Sequence, residues 1–570
     1  MMNDRGGMLL TTNKNLREIV FSTIPFIFIA LLILMKVVFA QSWRIDSDEP
    51  QHLHVIWGWA NGLLQYRDVF DNHAPLFHIL FTPVYALFGE RPDVLMSMRL
   101  VVIPLFFVAL WAVYLIGQHL FSREAGLWAA IFTGLYPGFF LTSSEFRTDD
   151  LWMVFWLLAL AVLVRRPLRA PHIFVAGLLL GATISVSMKT SLLLSALVLA
   201  TLGSVIMLRR PDRLPVRQYG INTIWLLAGF LPVPLALVLF FSIHGALGPM
   251  YYSVVTHNIV PDLGRWTHLQ TSVVPSLGFL LLTFYGTNLL RHSCDDKELL
   301  QRRTAIFLTF GLAMTGLYLF WPLISAQDFL PLTPLFILMA TGMLMERLAY
   351  KGGSTRQISR PLVILVSIAI LELGLLLFNA QPWHQRKLPE NRLLSETLQL
   401  TRPGETIMDL KGETVFRQRP FFYVLEGITR KRIKIGLIKD SIPEDIVRAR
   451  TTVATLDSYS LPVRGREFLK RNFLVVGHLR VVGQLLAVPI NAPNHDISFD
   501  ISVPTSYVLL AESGVVSGWL DGVPYNGPRQ LEVGHHTFRL SAPVGAGGLA
   551  VIWAPAIQRG FSPFAMRNAS

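Results

Sequence analysis

The residues able to do chemistry crowd into short polar stretches between long apolar ones. Arg44-Ile45-Asp46-Ser47-Asp48-Glu49-Pro50-Gln51-His52 follows the first apolar segment and sets three carboxylates and a histidine where a helix should leave a bilayer. Ionisable groups beside hydrocarbon are costly, so such a cluster is a functional candidate. The structural alternative is that Ser47 or Asp48 caps a helix opened by Pro50, with the carboxylates at its positive end. Asp46 reads as a solvated or paired loop residue.

A second group is Phe146-Arg147-Thr148-Asp149-Asp150, where Arg147 pairs with its neighbours or the acids cap the next helix. A third runs from Tyr66 to Leu76 and holds His73. An imidazole at a membrane surface can hold a phosphate or shuttle a proton, whereas a lone loop histidine, such as His52, His54 or His78, is more often simply exposed. Lys189 either snorkels or meets a lipid phosphate. Arg265, Trp266 and His268 mix charge with aromatics suited to a polar ligand, and Gln327-Asp328 opens a later span. The acids Asp48, Glu49 and Asp149 and the bases His73, Arg147 and Lys189 fall on one membrane face. That is the inventory of a site with a carboxylate base and cationic phosphate holders.

The elements that must position these residues are helices in lipid. The chain has 570 residues, 52% hydrophobic and only 15% charged, with mean hydropathy +0.47. That composition fits an α-helical polytopic membrane protein carrying some soluble mass. The net charge of +13 falls in short clusters between apolar runs, which is topology and not a nucleic-acid-binding stripe. A single cysteine, Cys294, excludes an internal disulfide, and no Cys/His spacing suggests a zinc site.

Apolar runs of spanning length lie at about 19–41, 95–119, 125–142, 150–164, 172–188, 190–208, 220–242, 271–290, 304–325, 329–346 and 361–379. About eleven spanning helices are expected, or up to thirteen. The first is too long for the apolar core of a signal peptide and is read as retained. Five of six basic clusters obey the positive-inside rule; that at 291–303 conflicts, so a span is expected to be missed or miscounted near 243–303. The N-terminus is then cytoplasmic and everything after Asn379 is outside. Residues 42–94 and 243–270 form long outer loops. In the first, Pro50 to Leu64, with Trp57 and Trp59, should lie in the membrane interface, and Pro75 to Phe88 should form a second, more buried helix. After the transmembrane part, 1–379, residues 380–485 read as an α/β region and 486–570 as a β-rich, sandwich-like one.

The order of the pieces resembles the GT-C class of integral-membrane glycosyltransferases, specifically the superfamily of protein O-mannosyltransferases and lipid A aminoarabinose transferases. The matching features are Asp48-Glu49 after helix one; Gly62, Tyr66 and Asp68; Pro75-Leu76; Arg99-Leu100; Tyr136-Pro137-Gly138; Arg147-Thr148-Asp149; Gly177, Gly181 and Lys189; and Phe329-Leu330-Pro331-Leu332-Thr333-Pro334. They cover roughly residues 20–345.

The resemblance implies a polyprenyl-phosphate-linked sugar as donor, presented at the outer face of a bacterial inner membrane. It implies transfer with inversion to an acceptor hydroxyl on a glycolipid, glycan or protein. Asp48 would be the general base, with Glu49 and Asp149 orienting or tuning it. His73, Arg147 and Lys189 would stabilise the leaving phosphate, with Tyr66 and Arg265 completing the substrate-binding set. No cofactor is implied, and metal independence is expected. Relatives often carry Lys-Pro-Pro or His-Pro-Pro where this chain has His73-Ala74-Pro75; if a lysine there holds the lipid phosphate, His73 would do so here with a pH-dependent charge. The resemblance assigns no role to the β-rich region. Two other readings remain: a transporter or flippase of lipid-linked saccharides, which usually shows repeated halves and mid-membrane charges, and a non-catalytic glycan-binding membrane protein.

Overall fold

Each of the eleven apolar runs lies on helix in the computed structural model, which describes residues 5–208, 216–264, 269–291, 294–350, 359–381, 389–456, 460–487, 496–542 and 548–564. Helix α1 (Arg5–Ser42) leads to α2 (Asp48–Ala60) and α3 (Leu76–Ala86), then α4 (Val94–Leu120) and α5 (Arg123–Leu135). Ser122 caps α5 by accepting from the Ala125 N–H. The run 125–142 breaks before α6 (Pro137–Thr142), because Pro137 has no N–H to offer and so opens a new first turn. There follow α7 (Thr148–Leu163), α8 (Ala170–Val186) and α9 (Thr190–Leu208). Pro232 likewise separates α10 (Val216–Phe230) from α11 (Pro232–Ile243). After the short α12 (Leu247–Tyr251) come α13 (Leu269–Arg291), α14 (Lys297–Phe320), α15 (Thr333–Tyr350) and α16 (Ser359–Ala380).

Among the described residues, six helical stretches are long and apolar enough to cross a membrane alone: Val94–Leu120, Thr190–Leu208, Arg217–Ile243, Thr271–Leu290, Lys297–Phe320 and Leu362–Ala380. The other runs lie on shorter or more polar helices packed among these. The glycines of α8 permit one very close approach. A Cβ on Gly177 or Gly181 would stand 2.2 Å or 2.1 Å from a carbonyl oxygen of α10.

The expected conflict at 291–303 is a miscount: eight apolar runs precede the cluster, and an even number of crossings returns the chain to the face of its N-terminus. Arg166 pairs with Asp296 (3.0 Å) and Glu298 (2.7 Å), and Arg302 donates to the Val164 carbonyl. Arg303 pairs with Glu346. The cluster therefore shares a face with Val164 and Arg166 after α7 and with Glu346 near the end of α15. Among the described residues of 244–264 there is no spanning-length helix to add, only α12 and one π-helical turn at Tyr252–Thr256.

The two helices of the first outer loop reverse the expected burial. α2 is buried from Glu49 to Gly58, and Trp57 donates to Glu90 instead of resting in an interface. In α3 only Phe77, His78 and Tyr85 are buried, and Leu80 is exposed. The reason is what covers α2: it lies between the bundle and the C-terminal unit.

That unit is built on α17 (Pro389–Leu400), α18 (Gly427–Lys434), α19 (Ile442–Arg448), α20 (Val463–Asn472) and α21 (Ala554–Gln558). Its strands are β1 (Ile407–Met408), β2 (Val453–Thr455), β3 (Phe473–Val476), β4 (Leu479–Leu486), β5 (Asp496–Ile501), β6 (Thr505–Ala511), β7 (Gly518–Leu520), β8 (Val523–Pro524), β9 (Arg529–Leu531), β10 (Gly534–Leu540) and β11 (Leu549–Trp553). A seven-stranded sheet runs β1-β2-β4-β11-β6-β9 with β3 on β4; a four-stranded one runs β5-β10-β7-β8. β11 pairs antiparallel with β4 in the register Ala550 opposite Leu485. The regions divided at 485/486 by composition thus share one sheet and one apolar core, from Leu400 to Ala556.

Candidate active site

Glu49 and Arg99 form the first fixed point. Both side chains are fully buried, and the guanidinium reaches both carboxylate oxygens at 2.6 and 2.5 Å. Arg99 also donates to the Trp43 and Arg44 carbonyls, a cation at the carbonyl end of α1. Glu49 accepts from the backbone N–H of Asp46 (2.8 Å) and of Phe146 (2.7 Å). One buried pair therefore ties the end of α1, the start of α2 and the turn before α7.

The cap of α2 is not the expected one. Ser47 makes no capping bond, and Asp46 accepts from the Asp48 N–H at 3.0 Å. Asp48 is thereby released, and its carboxylate, about a quarter exposed (24%), turns to Arg147 at 2.8 Å and to Lys411. Arg147 also pairs with Asp46 and, at 3.1 Å, with Asp149 in the first turn of α7. Burial alone would raise the Asp48 carboxyl, but Arg147, Lys411 and His73 outweigh it and hold Asp48 well below the usual carboxylate range. Beyond Arg147, Lys189 pairs with Asp328, and Gln327 donates to Glu145 at 2.7 Å. The polar pair opening that later segment thus closes the same face.

His52, His54 and His78 are buried, contrary to the expectation of exposed loop residues, and His73 is half-buried. His73 Nδ1 lies 2.9 Å from Asp71, whose carboxylate also accepts from Gln51 (2.9 Å) and Gln65 (2.8 Å). Burial would lower His73, yet the Asp71 carboxylate overrides it and raises the imidazole above its ordinary value. Burial pushes His78 down to about 4 and His52 well below its usual range, so His73 is the ring of the three biased to carry charge. Tyr66 is buried, and its hydroxyl donates to the His73 carbonyl at 2.7 Å, which fixes the loop that carries His73. His52, Asp71 and His73 offer donor atoms within 4.8 Å of one another and could hold a cation, and His52 Nε2 has no hydrogen-bond partner among the described residues. Arg265, Trp266 and His268 lie outside the described residues.

Sequence reasoning missed Lys411, which enters from the C-terminal unit, 363 positions from Asp48. Nothing local in Asp409-Leu410-Lys411-Gly412 marks it, since only the docking of that unit on α2 brings it near. The docking is specific. His54 Nδ1 meets the Val415 carbonyl at 2.6 Å, and Arg417 pairs with Glu90 at 3.0 Å. Gly412 holds φ +95° directly against His54, where a Cβ would stand 2.7 Å from the His54 Cβ.

The comparisons agree with this architecture. The family model described as dolichyl-phosphate-mannose-protein mannosyltransferase matches residues 72–234. The crystal structure of ArnT from Cupriavidus metallidurans in the apo state aligns with a TM-score of 0.54 at 13% identity, over 81% of this chain and 98% of that one. The same protein bound to undecaprenyl phosphate aligns with a TM-score of 0.50 at 14% identity, over 80% and 97%. A search of curated proteins finds no match. The chain thus shares the fold of ArnT, and its residues 72–234 resemble the mannosyltransferase family.

Proposed function

We propose that this protein moves a sugar from a polyprenyl-phosphate donor to an acceptor hydroxyl at the outer face of a bacterial inner membrane, with inversion. Asp48 is the general base in this reading. The observation that carries it is the release of Asp48 from helix capping, which leaves a partly exposed, ionised carboxylate beside Arg147 and within the influence of His73. The acceptor oxygen bonds to the anomeric carbon as its proton passes to Asp48, and the anomeric bond to phosphate breaks on the opposite side. The leaving phosphate is met by Arg147, Lys189 and His73, which act on charge that grows in the transition state. Asp149 orients Arg147, Glu49 fixes the turn that carries Asp48, and no metal is required. The donor chemistry draws support from the shared fold with ArnT, which has been seen with undecaprenyl phosphate.

In this reading the N-terminus is cytoplasmic and the active site and C-terminal unit lie outside, an orientation that the basic clusters support through the positive-inside rule. The test is mass spectrometry of envelope glycolipids, glycans and glycoproteins from a deletion strain and its parent. One class should lose a sugar in the deletion strain. Identical profiles in all three fractions would overturn the reading, as would reporter fusions that place the C-terminus inside.

A further inference from the structure

Two cations bond directly to Asp48, and they are held very differently. Arg147 is committed to Asp46, Asp48 and Asp149 at once. Drawing it away would strand buried carboxylates without a partner, which is costly. Among the described residues, Lys411 meets only Asp48 and the Ser47 hydroxyl, the latter at 3.0 Å, and its side chain keeps some exposure. Its ammonium is a compact charge with three donors on a flexible stem, able to swing between neighbouring anions.

The backbone that carries it is firmly built. Asp409 accepts from the Gly412 N–H (3.0 Å), the Thr414 N–H (3.1 Å) and the Thr414 hydroxyl (2.7 Å). Glu413 accepts from the Lys411 N–H at 2.8 Å. A rigid loop therefore presents a mobile charge to the carboxylate that must take the acceptor's proton, and in the resting arrangement that charge occupies one of its oxygens. An anion entering beside the cleft competes for Lys411 far more easily than for Arg147.

We propose that Lys411 is a phosphate-binding residue of the donor site, and that its ammonium passes from Asp48 to the donor phosphate, freeing a carboxylate oxygen for the acceptor. This extends the function proposed above and rests on it. The acceptor proton then goes to Asp48, the new glycosidic bond forms as the anomeric bond to phosphate breaks, and Lys411 neutralises the departing phosphate. Donor binding becomes the event that unmasks the base, and the C-terminal unit becomes part of the active site.

The test uses the full-length protein in nanodiscs, with undecaprenyl phosphate as probe and the uncharged polyprenol as control. Lys411→Ala should weaken phosphate binding by about tenfold or more, the range for a lost bond to a charged group, and leave polyprenol binding and the melting temperature unchanged. Lys411→Arg should restore most of the affinity. Asp48→Asn, by weakening the resting partner of Lys411, should bind the phosphate more tightly than wild type. Unchanged phosphate affinity in Lys411→Ala overturns the proposal. So does equal weakening for phosphate and polyprenol, which marks a structural role, and so does Asp48→Asn that binds no tighter. Wild-type protein that fails to bind the phosphate at all overturns the donor reading itself, and this inference with it.

Discussion

Asp48 and Glu49 are adjacent acids in the first turn of one helix, and they do opposite things. Successive helical residues point about 100° apart, so one side chain turns into the bundle and the other toward the cleft. Glu49 is sealed against Arg99 with no exposure and joins three segments of backbone. Asp48 is partly exposed and is met by cations from two different units, Arg147 and Lys411. A carboxylate that serves the fold has every oxygen spent on fixed donors. One that serves chemistry keeps a face from which a partner can be displaced.

The sharpest break of this comparison is to neutralise each acid in turn. Asp48→Asn should lower sugar transfer by about 10²–10⁴-fold, the usual contribution of a general base, with a melting temperature near that of wild type. Retained transfer in the purified variant removes the base assignment. Glu49→Gln should do the reverse and cost about 3–5 kcal/mol of stability, because the buried Arg99 loses its counter-charge. Denaturant or thermal unfolding in detergent measures this; a Glu49→Gln protein as stable as wild type but inactive would move Glu49 into the chemistry.

The effect of pH on His73 should be smaller. Its imidazole is raised by Asp71, so it keeps its proton below that raised value and loses it as the pH climbs through it. Donor affinity should therefore be full at acidic pH and fall as the pH rises through a value above the ordinary imidazole one, by about tenfold. His73→Lys should flatten the profile; a wild-type profile already flat would count against the phosphate role. Least is expected from chelation, which should leave transfer unchanged. A loss restored by a divalent cation would instead place that cation among His52, Asp71 and His73.

Much of the helical part was legible in the chain. The apolar runs locate the helices because hydropathy acts locally, but the breaks at Pro137 and Pro232 inside two of the runs went unread. The candidate acids and Arg147 were visible because charge beside hydrocarbon is rare. The burial of His52, His54 and His78 was not, since a loop histidine looks the same whether or not another unit covers it. The role of Tyr66 was hidden for a related reason: its bond to the His73 carbonyl depends on the path of the loop between them.

By itself, then, the sequence determined where the chain enters lipid, which face is basic, and which short stretches could afford a functional charge. These follow from transfer free energies and backbone valence, which are properties of neighbouring residues. Only the tertiary structure decided that Asp46 caps α2 in place of Ser47 or Asp48, that Glu49 belongs to Arg99, and that Lys411 meets Asp48. The last two outcomes depend on which charges meet across 50 and 363 positions of chain. No local pattern encodes such meetings, because they arise when packing brings distant segments together and burial makes each unpaired charge too costly to leave alone.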